Sequence, residues 1–306
     1  MPTFHVSESL VIDAPLAKIR ATILDAKQWG PWSPWVVAEP DCAMTYDADG
    51  ASYGWDGKIM GSGRMELAAQ RDDGLDYNLT FLKPFKSHNK SSFDFSAATG
   101  GTKVTWRMEG SLPFFMFFLK KMMSAWVGAD FRRGLARMKD YIEAGAVPSK
   151  LTFAGVGEGL RTPYIGIKAR ASIATIGPAM TSQFATLGAW MKAHDVAATG
   201  APLSIYHKFY IVAQETDYTA AIPVASVPAS LPPEFTSGTL DVPRTYKLVH
   251  TGAYRHLASA WAAGMMHQNA KQFRANKNSP AFERYVTDPS ATADAAAVAE
   301  VHLPAM

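Results

Sequence analysis

A carboxylate set among aromatic rings can do two kinds of chemistry. It can neutralise a cationic ligand, or it can move protons once desolvation has raised its pKa. The C-terminal half of the sequence holds the parts for both. Glu300 stands two residues before His302, so on a strand the two side chains share a face. Tyr164, Trp190, Tyr206, Phe209, Tyr210, Tyr254, Trp261 and Tyr285 are candidate walls. Trp190 and Trp261 read as core residues, each mid-helix and facing a sheet. Judged by position alone, Glu300 reads as a solvated strand-end glutamate and His302 as a rim residue.

Other chemistries lack their residues. No His-x-x-x-His or His-Glu-x-x-His spacing occurs, and one cysteine cannot complete a zinc set, so neither a metal nor another cofactor is expected. Ser62, between Gly61 and Gly63, lacks the Gly-x-Ser-x-Gly elbow of a serine hydrolase. Cys42 follows Asp41 and has no cationic neighbour to activate it. A net charge of +3 over 306 residues is evenly spread and makes no basic field for nucleic acid or anionic lipid. No apolar run is long enough for a spanning helix. The run Pro113 to Leu119, followed by Lys120 and Lys121, reads as a lid or packing segment before a membrane-touching or dimerising patch. With no charged region followed by an apolar one at residues 1 to 13, the expected location is the cytoplasm.

The length of 306 residues suggests two domains. Phe4 to Ile12 alternates as a strand, and Asp13 caps a helix whose first turn holds Pro15 and which carries Leu16, Ile19, Ile23 and Leu24 on one side. Trp29-Gly30-Pro31-Trp32-Ser33-Pro34-Trp35 breaks it. From Met44 to Gly110 short alternating runs separated by glycine and aspartate turns form an antiparallel meander. Ser111 to Gly145, with Met123, Val127, Phe131, Leu135, Met138 and Ile142 in register, is a long amphipathic helix.

This order resembles the SRPBCC superfamily, in particular its polyketide-cyclase-like members. The likeness rests on the Asp13-Ala14-Pro15 entry, the Trp29 to Trp35 stretch, the Gly61-Ser62-Gly63-Arg64-Met65 strand, and Phe131 to Met138 in the last helix. It implies a helix-grip fold over residues 1–147, a curved antiparallel sheet around a long C-terminal helix. The cavity between them has Trp55, Tyr77, Phe81, Phe93, Phe95, Trp106 and Met123 as candidate lining. Arg64, Glu66, Asn78 and Arg107 are polar groups whose face the sequence leaves open.

Residues 148–163 carry Pro148, Gly155, Gly157, Gly159 and Pro163 without periodicity and read as a linker. Beyond them an internal repeat emerges. Ser172 to Gly177, a helix with Trp190, Ala201 to Tyr206 and a strand ending at Pro223 form one copy; Tyr246 to Gly252, a helix with Trp261, Ser279 to Tyr285 and a strand ending at Pro304 form the other. Each copy alone has too little core to stand by itself. The arrangement is similar to the GyrI-like effector-binding domain of AraC-type and MerR-type regulators, which implies a pseudo-twofold α+β domain over residues 164–306. The resemblance further implies a groove between the repeats for apolar, often cationic molecules, with an acidic residue near the last strand's end. Glu300, four residues before Pro304, takes that place; the first repeat has Thr219 there, four before Pro223. Tyr164, Tyr206, Tyr210, Tyr254 and Tyr285 are then the candidate ligand-binding tyrosines.

The expected function is binding or sensing of hydrophobic, possibly cationic small molecules in cavities of both domains, without nucleic acid and without stable membrane insertion. The oligomeric state is open. Two alternatives stand: a detoxifying hydrolase resembling cyclopropanoid hydrolases, with Glu300 and a tyrosine as its catalytic groups, and a protein-binding regulator of the GyrI type.

Overall fold

The computed structural model describes residues 3–83, 85–111, 118–288 and 292–306. The apolar run singled out above falls largely at 112–117, outside the described residues. The chain divides into two compact units, Met1–Pro148 with Met265–Ala270, and Ser149–Gly264 with Lys271–Met306. No helix among the described residues is long and apolar enough to cross a membrane.

In the N-terminal unit, β1 (Thr3–Ile12) leads to α1 (Leu16–Leu24), and six strands follow: β2 (Ala43–Tyr46), β3 (Tyr53–Asp56), β4 (Ser62–Arg71), β5 (Gly74–Lys83), β6 (Ser87–Ala98) and β7 (Gly101–Ser111). Pro15, rather than Asp13, occupies the N-cap of α1. The backbone N–H of Asp13 donates instead to Glu143 Oε1 at 2.6 Å, tying the strand end to the last helix. The sheet is antiparallel in the order β1-β7-β6-β5-β4-β3-β2. Helix α2 (Lys120–Ala144) lies along β1, with Gly128 beside Val6 and Glu8 and Lys139 Nζ donating to the Val11 carbonyl at 3.1 Å. It ends at Gly145, whose φ of 79° is the left-handed cap that glycine adopts without strain. This is the helix-grip arrangement.

Large rings occupy the space between sheet and helix. Trp106 is stacked on Phe131 at 4.2 Å and 5°, and on Phe93 at 4.9 Å and 27°. Trp29 and Trp32 close the same layer at 6.1 and 6.0 Å from Trp106. Each of these five is at most 1% exposed. The buried indole N–H groups of Trp29 and Trp106 are matched, by the Ile23 carbonyl at 2.8 Å and by Ser91 Oγ at 3.0 Å. The tryptophan-rich break after α1 is therefore core-forming.

In the C-terminal unit the repeat is realised as β8 (Ser149–Ser172), α3 (Ile176–Ala193), β9 (Leu203–Tyr210) and β10 (Glu215–Pro223), then β11 (Thr236–Gly252), α4 (Ala258–Asn269), β12 (Ala281–Tyr285) and β13 (Val298–Pro304). The strands close into a barrel in the order β10-β8-β11-β13-β12-β9. Two expectations need correction. Residues 149–163 are no linker; they are the first half of β8 and pair along β11. The glycines serve the pairing: Gly155 takes φ 78° at a register shift, and a Cβ on Gly159 would lie 1.7 Å from the Val242 carbonyl oxygen. Second, the stretch Ser172 to Gly177 is the end of β8, a turn and the start of α3. One face of the barrel strands packs Leu203, Ile205, Leu240, Val242 and Phe282 together; the other sets Tyr206, Tyr218 and Ala220 against Met180 of α3.

Because Trp106 is clamped on two sides, its loss leaves a void that neighbouring rings cannot refill. Trp106→Ala is expected to lower the stability of the N-terminal unit by ~3–5 kcal/mol, read from the urea midpoint of its unfolding transition.

Candidate functional site

Strand parity decides which side chains meet. On β12, Glu283 and Tyr285 share one face while Phe282 and Arg284 share the other. In the antiparallel register Glu283 is opposite Ser204 of β9 and Val301 of β13, whereas Arg284 is opposite Glu300. Glu283 and Glu300 therefore lie on opposite faces of the same sheet.

Glu283 is 3% exposed. Tyr206 donates its hydroxyl to Oε2 at 3.0 Å, and Tyr285 donates to the same oxygen. Trp261 of α4 donates its Nε1–H to Oε1. Tyr285 is also 3.0 Å from Ser204 Oγ, which lies 3.2 Å from Met180 Sδ. Among the described residues, no lysine, arginine or histidine comes within ion-pair distance of Glu283. Burial pushes the Glu283 carboxyl above its ordinary value, and the three hydrogen bonds work against that rise. The Tyr206 and Tyr285 phenols lie well above theirs, first through burial and then through the neighbouring carboxylate.

The rings around this carboxylate form a wall. Tyr206 lies 5.3 Å from Phe209 at 15° and 4.8 Å from Trp261 at 73°. Phe184 of α3 and Tyr254 approach Tyr285 at 5.7 and 5.8 Å. Tyr218 continues the floor and donates to Gln183 Oε1 at 2.9 Å. Glu283 with its tyrosines can accept or relay a proton.

Of the residues singled out in the sequence, Tyr206, Tyr285 and Tyr254 are thus brought together, the last tied down by its hydroxyl to the carbonyls of Thr287 at 3.0 Å and Val298 at 2.9 Å. Trp261, read above as plain core, reaches the carboxylate. Tyr164 lies elsewhere, packed against the Leu203 and Phe282 cluster. Tyr210 belongs to an outer ion cluster: it donates to Asp217 at 2.9 Å and lies beneath Arg170 and Lys208. Glu300 does not meet the tyrosines. It accepts from His302 Nε2 at 3.2 Å, Lys247 Nζ at 3.4 Å and Arg284 Nη1 at 3.5 Å. The His302 hydrogen bond, with the positive charges of His302, Lys247 and Arg284, pulls its carboxyl down to about 2. His302 is buried, stacked on Phe282 at 4.4 Å, and hydrogen-bonded to Thr245 at 3.0 Å. Glu283 was the residue missed; its signal was the Glu-x-Tyr alternation of 283 and 285, which puts an acid and a phenol on one strand face.

In the N-terminal unit Trp55, Tyr77, Phe93, Phe95 and Trp106 are core, with Phe81 and Met123 half-buried against them. The polar candidates lie on the sheet's outer side: Arg64 pairs with Asp47 and Glu66, and Arg107 with Asp94 at 3.0 Å. Asn78 and Arg107 line an open trough of about 510 Å³ there, together with His5, Ser7, Asp76 and Lys90.

No curated relative matches the sequence. Among solved structures, the EcmrR–DNA complex is similar at 10% identity and a TM-score of 0.43, over 60% of this chain and 65% of that one. The present chain thus spans just under two thirds of that protein. The EcmrR C-terminal domain alone is similar at 13% identity and a TM-score of 0.41, over 52% of this chain and 98% of that domain. The di-domain ARO/CYC StfQ of the steffimycin biosynthetic pathway is similar at 12% identity and a TM-score of 0.39, over 47% of this chain and 51% of its own. Residues 3–143 match the family described as polyketide cyclase / dehydrase and lipid transport.

Proposed function

We propose that the C-terminal unit binds a small apolar molecule carrying a positive charge, with Glu283 as its counter-ion and Tyr206, Tyr285 and Trp261 as its walls. The observation that carries this reading is a carboxylate 3% exposed, held by three neutral donors. Removing such a group from water costs several kcal/mol even after the protein relaxes, and neutral hydrogen bonds offset only part of that. A cation delivered by the ligand supplies the missing charge, and the faces of the surrounding rings add cation–π attraction. The family match over residues 3–143 supports small-molecule binding for the N-terminal unit.

A second reading is favoured by the chain of hydroxyls from Ser204 through Tyr285 to Glu283. A carboxyl whose pKa is raised by burial, hydrogen-bonded to two phenols, is equipped for general acid–base catalysis. On this reading the bound molecule is strained or electrophilic, and water is added to it.

Tetraphenylphosphonium, a lipophilic cation without reactive bonds, separates the two readings. Glu283→Gln should weaken its binding at least about tenfold by calorimetry, which is the ~1.4 kcal/mol of a modest ion pair, while Glu300→Gln leaves it unchanged. Hydrolysis of an electrophilic probe that disappears in Glu283→Gln marks the enzyme.

The two carboxylates should also respond to pH in opposite senses. The folded pKa of Glu300 is depressed to about 2, so its stabilisation is complete above the unfolded carboxyl value near 4.5 and is lost as pH falls toward about 2. Glu300→Gln should therefore destabilise at neutral pH by no more than ~3 kcal/mol and be neutral near pH ~2. The folded pKa of Glu283 is raised, so burial costs stability once pH exceeds the unfolded value. Glu283→Gln should then unfold at the same or a higher temperature than the parent at neutral pH, measured by calorimetric melting.

A further inference from the structure

The net charge of +3 conceals a local imbalance at one end of the N-terminal unit. Residues 77–93 and 118–129 contain no aspartate or glutamate, and they carry Lys83, Lys86, Lys90, Lys120 and Lys121. The strand register puts these segments together. Phe81 pairs with Ser87, so Leu82 and Lys83 at the end of β5 lie near Phe85 and Lys86 just before β6. These residues lie at the end of the sheet where Lys90 pairs with Glu109 and Thr3 with Ser111, the exit of β7. Helix α2 runs along β1 with Gly128 beside Val6 and Lys139 at Val11, so its first turns lie at the same end.

This end also carries the four most exposed large apolar side chains among the described residues of the unit. Phe85 is 75% exposed, Phe118 67%, Leu82 48% and Trp126 45%. All five lysines are exposed as well. Lys83 is paired with Asp56 at 3.3 Å, so its charge is partly offset, and Glu109 is paired with His5 at 3.5 Å.

We propose that this end of the N-terminal unit docks peripherally on an anionic lipid surface, with Phe85, Phe118, Leu82 and Trp126 entering the interface and the lysines meeting the headgroups. Aromatic and leucine side chains beside lysines are the composition that lies in a membrane interface, and tryptophan is at home at headgroup depth. The charge selects an anionic surface over a neutral one. Four side chains fall short of the roughly 800 Å² per partner that a stable protein interface covers, whereas a bilayer needs no matching shape. The proposal concerns the N-terminal unit and stands or falls independently of Glu283.

The test is co-sedimentation of the full chain with phosphatidylcholine vesicles, with and without a third of phosphatidylglycerol. Partitioning onto the anionic vesicles should exceed that onto neutral ones by at least about tenfold and collapse at high salt, since each lysine near the surface contributes about fivefold. Phe85→Ser with Phe118→Ser, and separately Lys83→Glu with Lys86→Glu, should each reduce it at least about fivefold. All four positions are exposed, so the fold is kept. Equal partitioning onto both vesicle types, or binding unchanged by both variants, overturns the proposal. So does lipid-free dimerisation, seen by light scattering, that the phenylalanine variant abolishes.

Discussion

An ionised carboxylate out of water must be compensated locally, and in the C-terminal unit the arrangement around Glu283 meets that requirement only in part. Tyr206 comes from β9, Tyr285 from β12 and Trp261 from α4, so three separate elements converge on two oxygens. The closed barrel makes this convergence possible, because β12 is held between β9 and β13 and its register fixes which face Glu283 takes. A shift of one residue would send Glu283 and Tyr285 together to the other face and bring Arg284 toward Tyr206. All three donors are neutral, which leaves the charge balance open to a ligand.

The same sheet handles Glu300 in the opposite way. Lys247, Arg284 and His302 surround it, its charge is fully matched, and its carboxyl is held near 2. Two glutamates seventeen positions apart on adjacent strands thus have opposite environments: one is satisfied as it stands, the other is stabilised only by neutral hydrogen bonds. The contrast follows from the period-two alternation of β12 and β13. The N-terminal unit differs again. There the space gripped between sheet and helix is filled by the Trp106 stack with Phe93 and Phe131, so its interior is spent on stability.

Much of this was legible in the sequence. The strand, helix, meander and long helix of the first unit, and the strand-helix-strand-strand repeat of the second, follow from periodicity and turn residues. Tyr206 and Tyr285 were marked by their matching places in that repeat. What was not legible depended on pairing. Glu300 stood out because of its distance from a C-terminal proline, but distance along the chain says nothing about the face a side chain takes once β12 and β13 are in register. The glycines at 155, 157 and 159 looked like linker punctuation because a bulge and a close strand approach leave the same composition as a flexible crossover. Trp261 looked like ordinary core because its indole N–H finds a partner only through the packing of α4 on the sheet. The basic, apolar end of the N-terminal unit was hidden in a chain-wide charge total that the register resolves.

The most direct measurement of the central claim is a crystal structure of the chain with a lipophilic cation bound. The account places the cationic centre within about 5 Å of the Glu283 carboxylate, against Tyr206 and Tyr285, with the Trp261 indole displaced from Oε1. A cation bound instead beside Glu300, or one that leaves the three donors on Glu283 undisturbed, would contradict it.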